Sequence, residues 1–226
     1  MRFGIIAAIE PEARVFQRPT GRLLGIDEYI VAVAGPGREN AARMANQMVN
    51  DGCEVLISWG VAGALSGDYR AGDLILSAQA MTGTGEMLSF DEQLRARFAA
   101  ALGENPMPRP GTVVTVATAA ATARDKALLR KRFGADAVDM ESTAIAYVAR
   151  SAAKGYLCIR AIVDNADFNI PSAAFKGLDG NGKLRPLRTV AEALENPTQI
   201  PQLIRLARDF RRSVKTLQRA ARRLVS

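Results

Sequence analysis

Apolar residues fall along this chain in short dense blocks. At 3–9, 29–34, 55–59, 73–80, 112–116 and 156–163 most positions are apolar or small. Blocks of that length and density predict strands, several of them central strands covered on both faces. Between them the spacing changes to threes and fours. Ala41, Met44, Ala45, Met48 and Val49 share one face of a helix at 40–49, and Ala144, Ile145, Val148 and Ala152 share one face at 142–154. Alternation of the two periodicities predicts an α/β fold, with a central mixed, mostly parallel sheet flanked by helices. No repeat and no convincing boundary divides the chain, so one domain over 1–226 is expected. The glycine- and proline-dense stretches at 103–111 and 177–182 read as turns.

From Gln199 onward the pattern is one long helix, in which Leu203, Ala207, Phe210, Val214, Leu217, Ala221 and Leu224 alternate by four and three. Between Arg205 and Arg223 this helix carries eight basic residues against one acid, Asp209, and so contributes much of the net charge of +7. Packing of the stripe on its own domain or on a second subunit, with arginines in water, is the favoured expectation. A basic face opposite an apolar one also suits a helix lying on an anionic membrane surface.

Composition then narrows the chemistry. The chain has no histidine, which excludes Ser-His-Asp and Cys-His nucleophile pairs and the usual zinc and iron sites. Carboxylates, backbone donors, arginine, lysine or hydroxyls must carry any catalysis. Cys53 and Cys158 lie far apart in apolar runs, as suits two buried reduced thiols. No run of about 18 apolar residues is present, and the first residues, running straight into Glu10, Pro11 and Glu12, do not form a secretory leader. A cytoplasmic protein is expected, with membrane association through the C-terminal helix as a variant of that expectation.

Active-site groups of α/β sheets gather where strands end. Three acids stand at such junctions: Glu12 after the first block, Glu141 at the start of a helix, and Asp164 at the end of 156–163. Each alone could be a helix-start or turn acid. Two glycine segments also follow strands. Gly35-Pro36-Gly37-Arg38-Glu39-Asn40 has Asn40 where a dinucleotide fingerprint needs its third glycine, and Gly60-Val61-Ala62-Gly63-Ala64 would let a ligand lie against backbone.

Together and in order, four segments resemble the nucleoside phosphorylase superfamily. Phe3-Gly4-Ile5-Ile6-Ala7-Ala8-Ile9-Glu10-Pro11-Glu12 resembles the opening of its methylthioadenosine/adenosylhomocysteine nucleosidases, and Ser58-Trp59-Gly60-Val61-Ala62-Gly63-Ala64-Leu65 the superfamily's glycine loop. Val138-Asp139-Met140-Glu141-Ser142 resembles its ribose-binding segment, and Arg160-Ala161-Ile162-Val163-Asp164-Asn165-Ala166-Asp167 its base-binding strand end. More loosely, Ile170-Pro171-Ser172-Ala173-Ala174, Leu178-Asp179-Gly180-Asn181-Gly182-Lys183 and Asn196-Pro197 resemble hopanoid-associated phosphorylases, a branch that removes adenine from adenosylhopane.

The resemblance implies cleavage of an adenine nucleoside, with Asp164 as general acid to the purine, Glu12 as the base that activates water, and Glu141 beside Met140 holding ribose hydroxyls. Val61, Ala62, Gly63 and Phe168 would line the substrate, and Asp167 is the candidate neighbour that raises the pKa of Asp164. No cofactor is implied, only water or inorganic phosphate as co-substrate. Phosphorolysis needs an anion site, yet Ser58 and Val61 stand where many bacterial purine phosphorylases carry arginine and serine. Arg14 and Arg38 match no phosphate motif, so water is favoured. For a hopanoid tail, Phe168, Ile170, Pro171 and Phe175 could form an apolar rim, though ordinary loop packing explains them equally. A homodimer is expected from the family.

Methylthioadenosine, adenosylhomocysteine or another purine nucleoside is the alternative substrate within the family. Outside it stand a dinucleotide-binding oxidoreductase, opposed by the missing glycine, and a nucleic-acid binder using the arginine-rich helix, with few aromatic residues for stacking; no nucleic-acid partner is expected.

Overall fold

The computed structural model describes residues 1–176 and 195–225. The segment 178–183, part of the narrower resemblance, and the turn expected at 177–182 lie outside the described residues. Strands β1 (Arg2–Ala7), β2 (Thr20–Leu23), β3 (Asp27–Val33), β4 (Val55–Ala64), β5 (Leu74–Ser77), β6 (Gln79–Thr82), β7 (Met87–Ser89), β8 (Pro108–Arg109), β9 (Val113–Thr115), β10 (Ala137–Asp139) and β11 (Gly155–Asp164) join one mixed sheet. Helices α1 (Glu10–Ala13), α2 (Arg38–Asn50), α3 (Glu92–Leu102), α4 (Ala123–Phe133), α5 (Ser142–Ser151), α6 (Ser172–Lys176) and α7 (Ile200–Val225) flank it.

At the centre β4 pairs in parallel with β1 on one side and β11 on the other, and its last residues pair antiparallel with β10. Side chains alternate across these strands. Phe3, Ile5, Ile57, Trp59, Leu157 and Ile159 face one apolar layer, completed by Phe98 of α3 and Leu217 of α7. Ile6, Leu56, Tyr156 and Ile162 face the other, completed by Ala41 and Ala45 of α2 and Ile145 of α5. Ser58, Cys158 and Arg160 also belong to this second face by alternation, so a polar group is buried within it.

Two expected boundaries change. The block at 73–80 divides into β5 and β6 around Ala78, because β5 pairs with β11 whereas β6 pairs with β7 and β9. Gly60 to Ala64 continue β4 instead of forming a loop, since Gly60, Val61 and Ala62 lie in register with Arg160, Ala161 and Ile162 of β11. Pairing with β11 as far as Gly63, and with β10 at Gly63 and Ala64, satisfies backbone groups that a loop would leave to water or ligand.

The C-terminal stripe packs on its own domain through its second half. Leu217, Ala220, Ala221 and Leu224 enter the first apolar layer. Two polar residues are buried with them: Ser213 donates to the Ile162 carbonyl at 2.5 Å, and Thr216 to the Gly72 carbonyl at 2.8 Å. Earlier in α7 the helix is more open, with Ile204 66% exposed and Ala207 exposed. No helix among the described residues is long and apolar enough to cross a membrane. Cys53 and Cys158 are buried free thiols, as expected.

Candidate active site

Glu12 is the third residue of α1, the single turn that follows β1, and it is 2% exposed. Its Oε2 accepts from the backbone N–H groups of Ala8 and Ile9, each at 3.0 Å, the local role expected of an acid at a helix start. Its Oε1 reaches further, to the N–H of Val61 on β4 at 2.8 Å. The Trp59 indole N–H donates to the Glu12 carbonyl at 3.1 Å and fixes the backbone. Burial pushes the Glu12 carboxyl above the ordinary range, while Arg160 and the three N–H donors pull in the opposite direction.

Glu141 caps the start of α5 by position, but its side chain makes no bond to that helix. Its Oε1 accepts instead from the N–H of Gly37 at 2.8 Å, and Oε2 from the N–H of Met140 at 3.3 Å. The glycine turn before α2 therefore holds a carboxylate of the same chain where a dinucleotide-binding turn would meet pyrophosphate. Burial, then the charge of Asp139, raise Glu141 to about 7, against the attraction of Arg160. Glu12 also acts on it, so the two acids share one electrostatic environment.

Arg160 is the cation of that environment and is 3% exposed. Its Nε and Nη2 donate to Asp139 Oδ2 at 3.0 and 2.8 Å, and Nη2 also donates to Ser58 at 2.6 Å and Ser142 at 3.1 Å. Asp139 is held in turn by Thr115 at 2.7 Å and by the Ser142 hydroxyl. Burial opposes the charge on Arg160, but Asp139, Cys158, Glu141 and Glu12 more than offset it and hold the guanidinium firmly protonated. The family resemblance implies no role for Arg160, although the sequence does mark it. Its signal was an arginine in an apolar strand, which must bring an anion with it.

Asp164 ends β11, 2% exposed, and is ion-paired through Oδ2 with Lys126 of α4. Lys126, 1% exposed, also donates to the carbonyls of Asn165 at 2.8 Å and Phe168 at 2.9 Å. The expected neighbour Asp167 is exposed. Burial raises the Asp164 carboxyl, Lys126 pulls it down, and the acid that adds to the rise is Asp209 of α7. A chain turning out to solvent after Asn165 carries Asp167 away, while α7 brings Asp209 back over the strand end.

Residues of β4 join the two halves. A Cβ on Gly60 would stand 2.6 Å from Glu12 Oε1, and one on Gly63 would stand 3.3 Å from both Asp164 oxygens. Val61 and Met140 are half-buried beside the Glu12 and Glu141 carboxylates. The side chain of Ala62 instead packs in the second apolar layer, leaving only its backbone for a ligand. Phe168 is buried, and the Arg205 guanidinium lies 4.9 Å from its ring centroid. Of the remaining rim, Pro171 is buried, Ile170 half-buried and Phe175 exposed. Arg14 is exposed and paired with Glu10 at 2.9 Å, and Arg38 is exposed at the start of α2. Among the described residues no group of three or more Cys, Asp or Glu is placed to hold a metal.

Residues 7–196 match the phosphorylase superfamily, and that span takes in Glu12, Asp139, Glu141 and Asp164. This chain belongs to the phosphorylase superfamily. Solved structures agree with that membership in fold. Futalosine hydrolase of Helicobacter pylori superposes with a TM-score of 0.69 at 19% identity, covering 99% of this chain and 98% of that one. S-adenosylhomocysteine nucleosidase of Streptococcus pyogenes, in complex with 5-methylthiotubericidin, gives 0.68 at 19% identity over 97% and 95%. The 5′-methylthioadenosine/S-adenosylhomocysteine nucleosidase of Helicobacter pylori gives 0.65 at 22% identity over 74% and 86%. As a superfamily member, the chain builds its candidate site on the ends of β1, β4, β10 and β11.

Proposed function

We propose that this phosphorylase-superfamily chain, acting as one domain over 1–226, hydrolyses the N-glycosidic bond of an adenine nucleoside and needs no cofactor beyond water. One observation carries the reading: buried Glu12 lies against Gly60, buried Asp164 lies against Gly63 three residues further along β4, and half-buried Glu141 shares with Glu12 the field of the same arginine. A ribosyl group losing its base develops oxocarbenium character, and two carboxyl groups in different protonation states suit that step. Water attacks C1′ as the C1′–N9 bond breaks. Glu12 takes the proton from water, and Asp164 gives one to the purine that leaves with the bonding pair. Glu141 accepts from ribose hydroxyls, with Met140, Val61, the backbone of Ala62, Gly63 and Phe168 around the nucleoside.

Water is favoured over phosphate by the state of Arg160. Its donors are already directed at Asp139, Ser58 and Ser142, and Ser58 itself is committed to Arg160. An incoming phosphate dianion would have to displace a buried carboxylate.

For the substrate, the reading favours an adenosine bearing a long apolar 5′ group, such as adenosylhopane. The neighbours' ligands, alkylthio-bearing analogues of adenine nucleosides, support the adenine nucleoside part. The apolar part rests on the looser resemblance and on exposed Phe175, Ile200 and Ile204 near the start of α7, with Arg205, Arg208 and Arg211 exposed around them. Such a surface suits peripheral contact with anionic lipid, where each basic residue contributes about 1 kcal/mol. A homodimer completes the proposal on family grounds.

The test measures adenine released from adenosylhopane or a 5′-alkyl adenosine, beside 5′-methylthioadenosine, each with and without phosphate. Phosphate-independent release that prefers the long apolar group supports the whole reading. Preference for methylthioadenosine removes the hopanoid part, and no release from any substrate overturns the enzyme assignment.

A further inference from the structure

Lys126 has no apparent packing reason to be a lysine. It lies on a helix of which four of the other ten residues are basic, yet it is the buried residue of that helix. Enclosing an ammonium is costly unless each of its N–H groups is met. Here all three acceptors, Asp164 Oδ2 and the carbonyls of Asn165 and Phe168, come from one five-residue stretch at the end of β11. Among the described residues Lys126 is the hydrogen-bond partner of the Asp164 carboxylate, through Oδ2 alone. The carboxylate also lies against Gly63, where no side chain intervenes.

We propose that Lys126 is a positioning residue of the base site: it pins Oδ2 of Asp164 and the turn to Phe168, so that Oδ1 is presented to the purine edge. The inference rests on the reading of Asp164 as the acid.

Pinning has an electrostatic consequence. The charged groups facing Asp164 are Lys126 from α4 and Asp209 from α7, the latter within 3.7 Å of Arg205 and Arg208. Removing the ammonium leaves burial and Asp209, which both favour the protonated acid. Asp164 would then keep its proton to higher pH, and the alkaline limb of kcat/KM would move upward.

Adenine release from 5′-methylthioadenosine, or from whichever nucleoside the wild-type protein cleaves, is followed from pH 5 to 9 for wild type, Lys126→Met and Lys126→Arg. The Met variant is expected to show that limb about one unit or more higher, with kcat reduced at least about tenfold by the loosened turn. The Arg variant, which keeps the charge, is expected to hold the limb near the wild-type position. Should the Met variant fail to fold, Lys126→Gln, which keeps donors without charge, must move the limb while Arg does not. An unmoved limb in the folded uncharged variant overturns the inference alone. A wild-type protein that cleaves no nucleoside overturns the parent reading and this one with it.

Discussion

Gly60 has no room for a side chain because the Glu12 carboxylate occupies it: Oε1, Cδ and Oε2 would lie 2.6, 2.7 and 2.9 Å from a Cβ there. The glycine is thus one wall of the site. Gly60→Ala must push Glu12 off its bond to the Val61 N–H. A displacement of that kind is expected to cost about 10²-fold in kcat/KM, with secondary structure by circular dichroism unchanged. An alanine variant of wild-type activity would detach Glu12 from the reaction.

Glu12→Gln keeps the shape and removes the base. Activity should fall about 10²- to 10⁴-fold, mainly in kcat. Because burial raises the Glu12 carboxyl, its basic form is available only above that raised value, so wild-type activity should fall as pH drops through it. The residual activity of the Gln variant should lack that acid limb, which a pH–rate profile reads directly.

Glu141, raised to about 7, makes stability depend on pH. Between its unfolded value near 4.5 and about 7, the folded protein holds a proton that the unfolded chain has lost. The stabilising contribution is therefore complete at low pH and is lost as pH rises through about 7. Glu141→Gln removes that dependence. Denaturant midpoints of wild type and variant, compared at several pH values, should separate in the variant's favour as pH rises from 5 to 8.

Two hydroxyls tie α7 to the sheet. Thr216→Val leaves the Gly72 carbonyl without its side-chain donor, whereas Ser213→Ala removes one of two donors to the Ile162 carbonyl, which still accepts from the Gly72 N–H at 2.8 Å. In urea titration Thr216→Val is expected to destabilise by about 1–3 kcal/mol and Ser213→Ala by about 0.5–1.5 kcal/mol. Cores near neutral to both changes would mean that the helix is held by Leu217, Ala220, Ala221 and Leu224 alone.

Much of the fold was legible because its central strands are strongly apolar. The blocks at 3–9, 29–34 and 156–163 became β1, β3 and β11 with small shifts, that at 55–59 became the first half of β4, and the periodic segments became α2, α5 and α7. What escaped detection had weak local signal. β10 is three residues long, and α4 reads as a solvated basic segment because its buried member is itself a lysine. The acids were visible at strand ends, but not their partners. Lys126 meets Asp164 across 38 residues and Gly37 meets Glu141 across 104. Such pairs follow from strand order, which no local pattern encodes.

Strand β4 is the datum to which the acids are indexed. Glu12 arrives from the end of β1, Asp164 from β11 and Glu141 from just beyond β10, and β4 pairs with all three strands. A slip of one residue in that pairing would reverse its faces, taking the Val61 N–H from Glu12 and the bare backbone of Gly63 from Asp164. Misregistered molecules would then be silent rather than slow. In a refolded preparation, specific activity becomes a head count of correctly paired chains, and active-site titration should equal the native fraction.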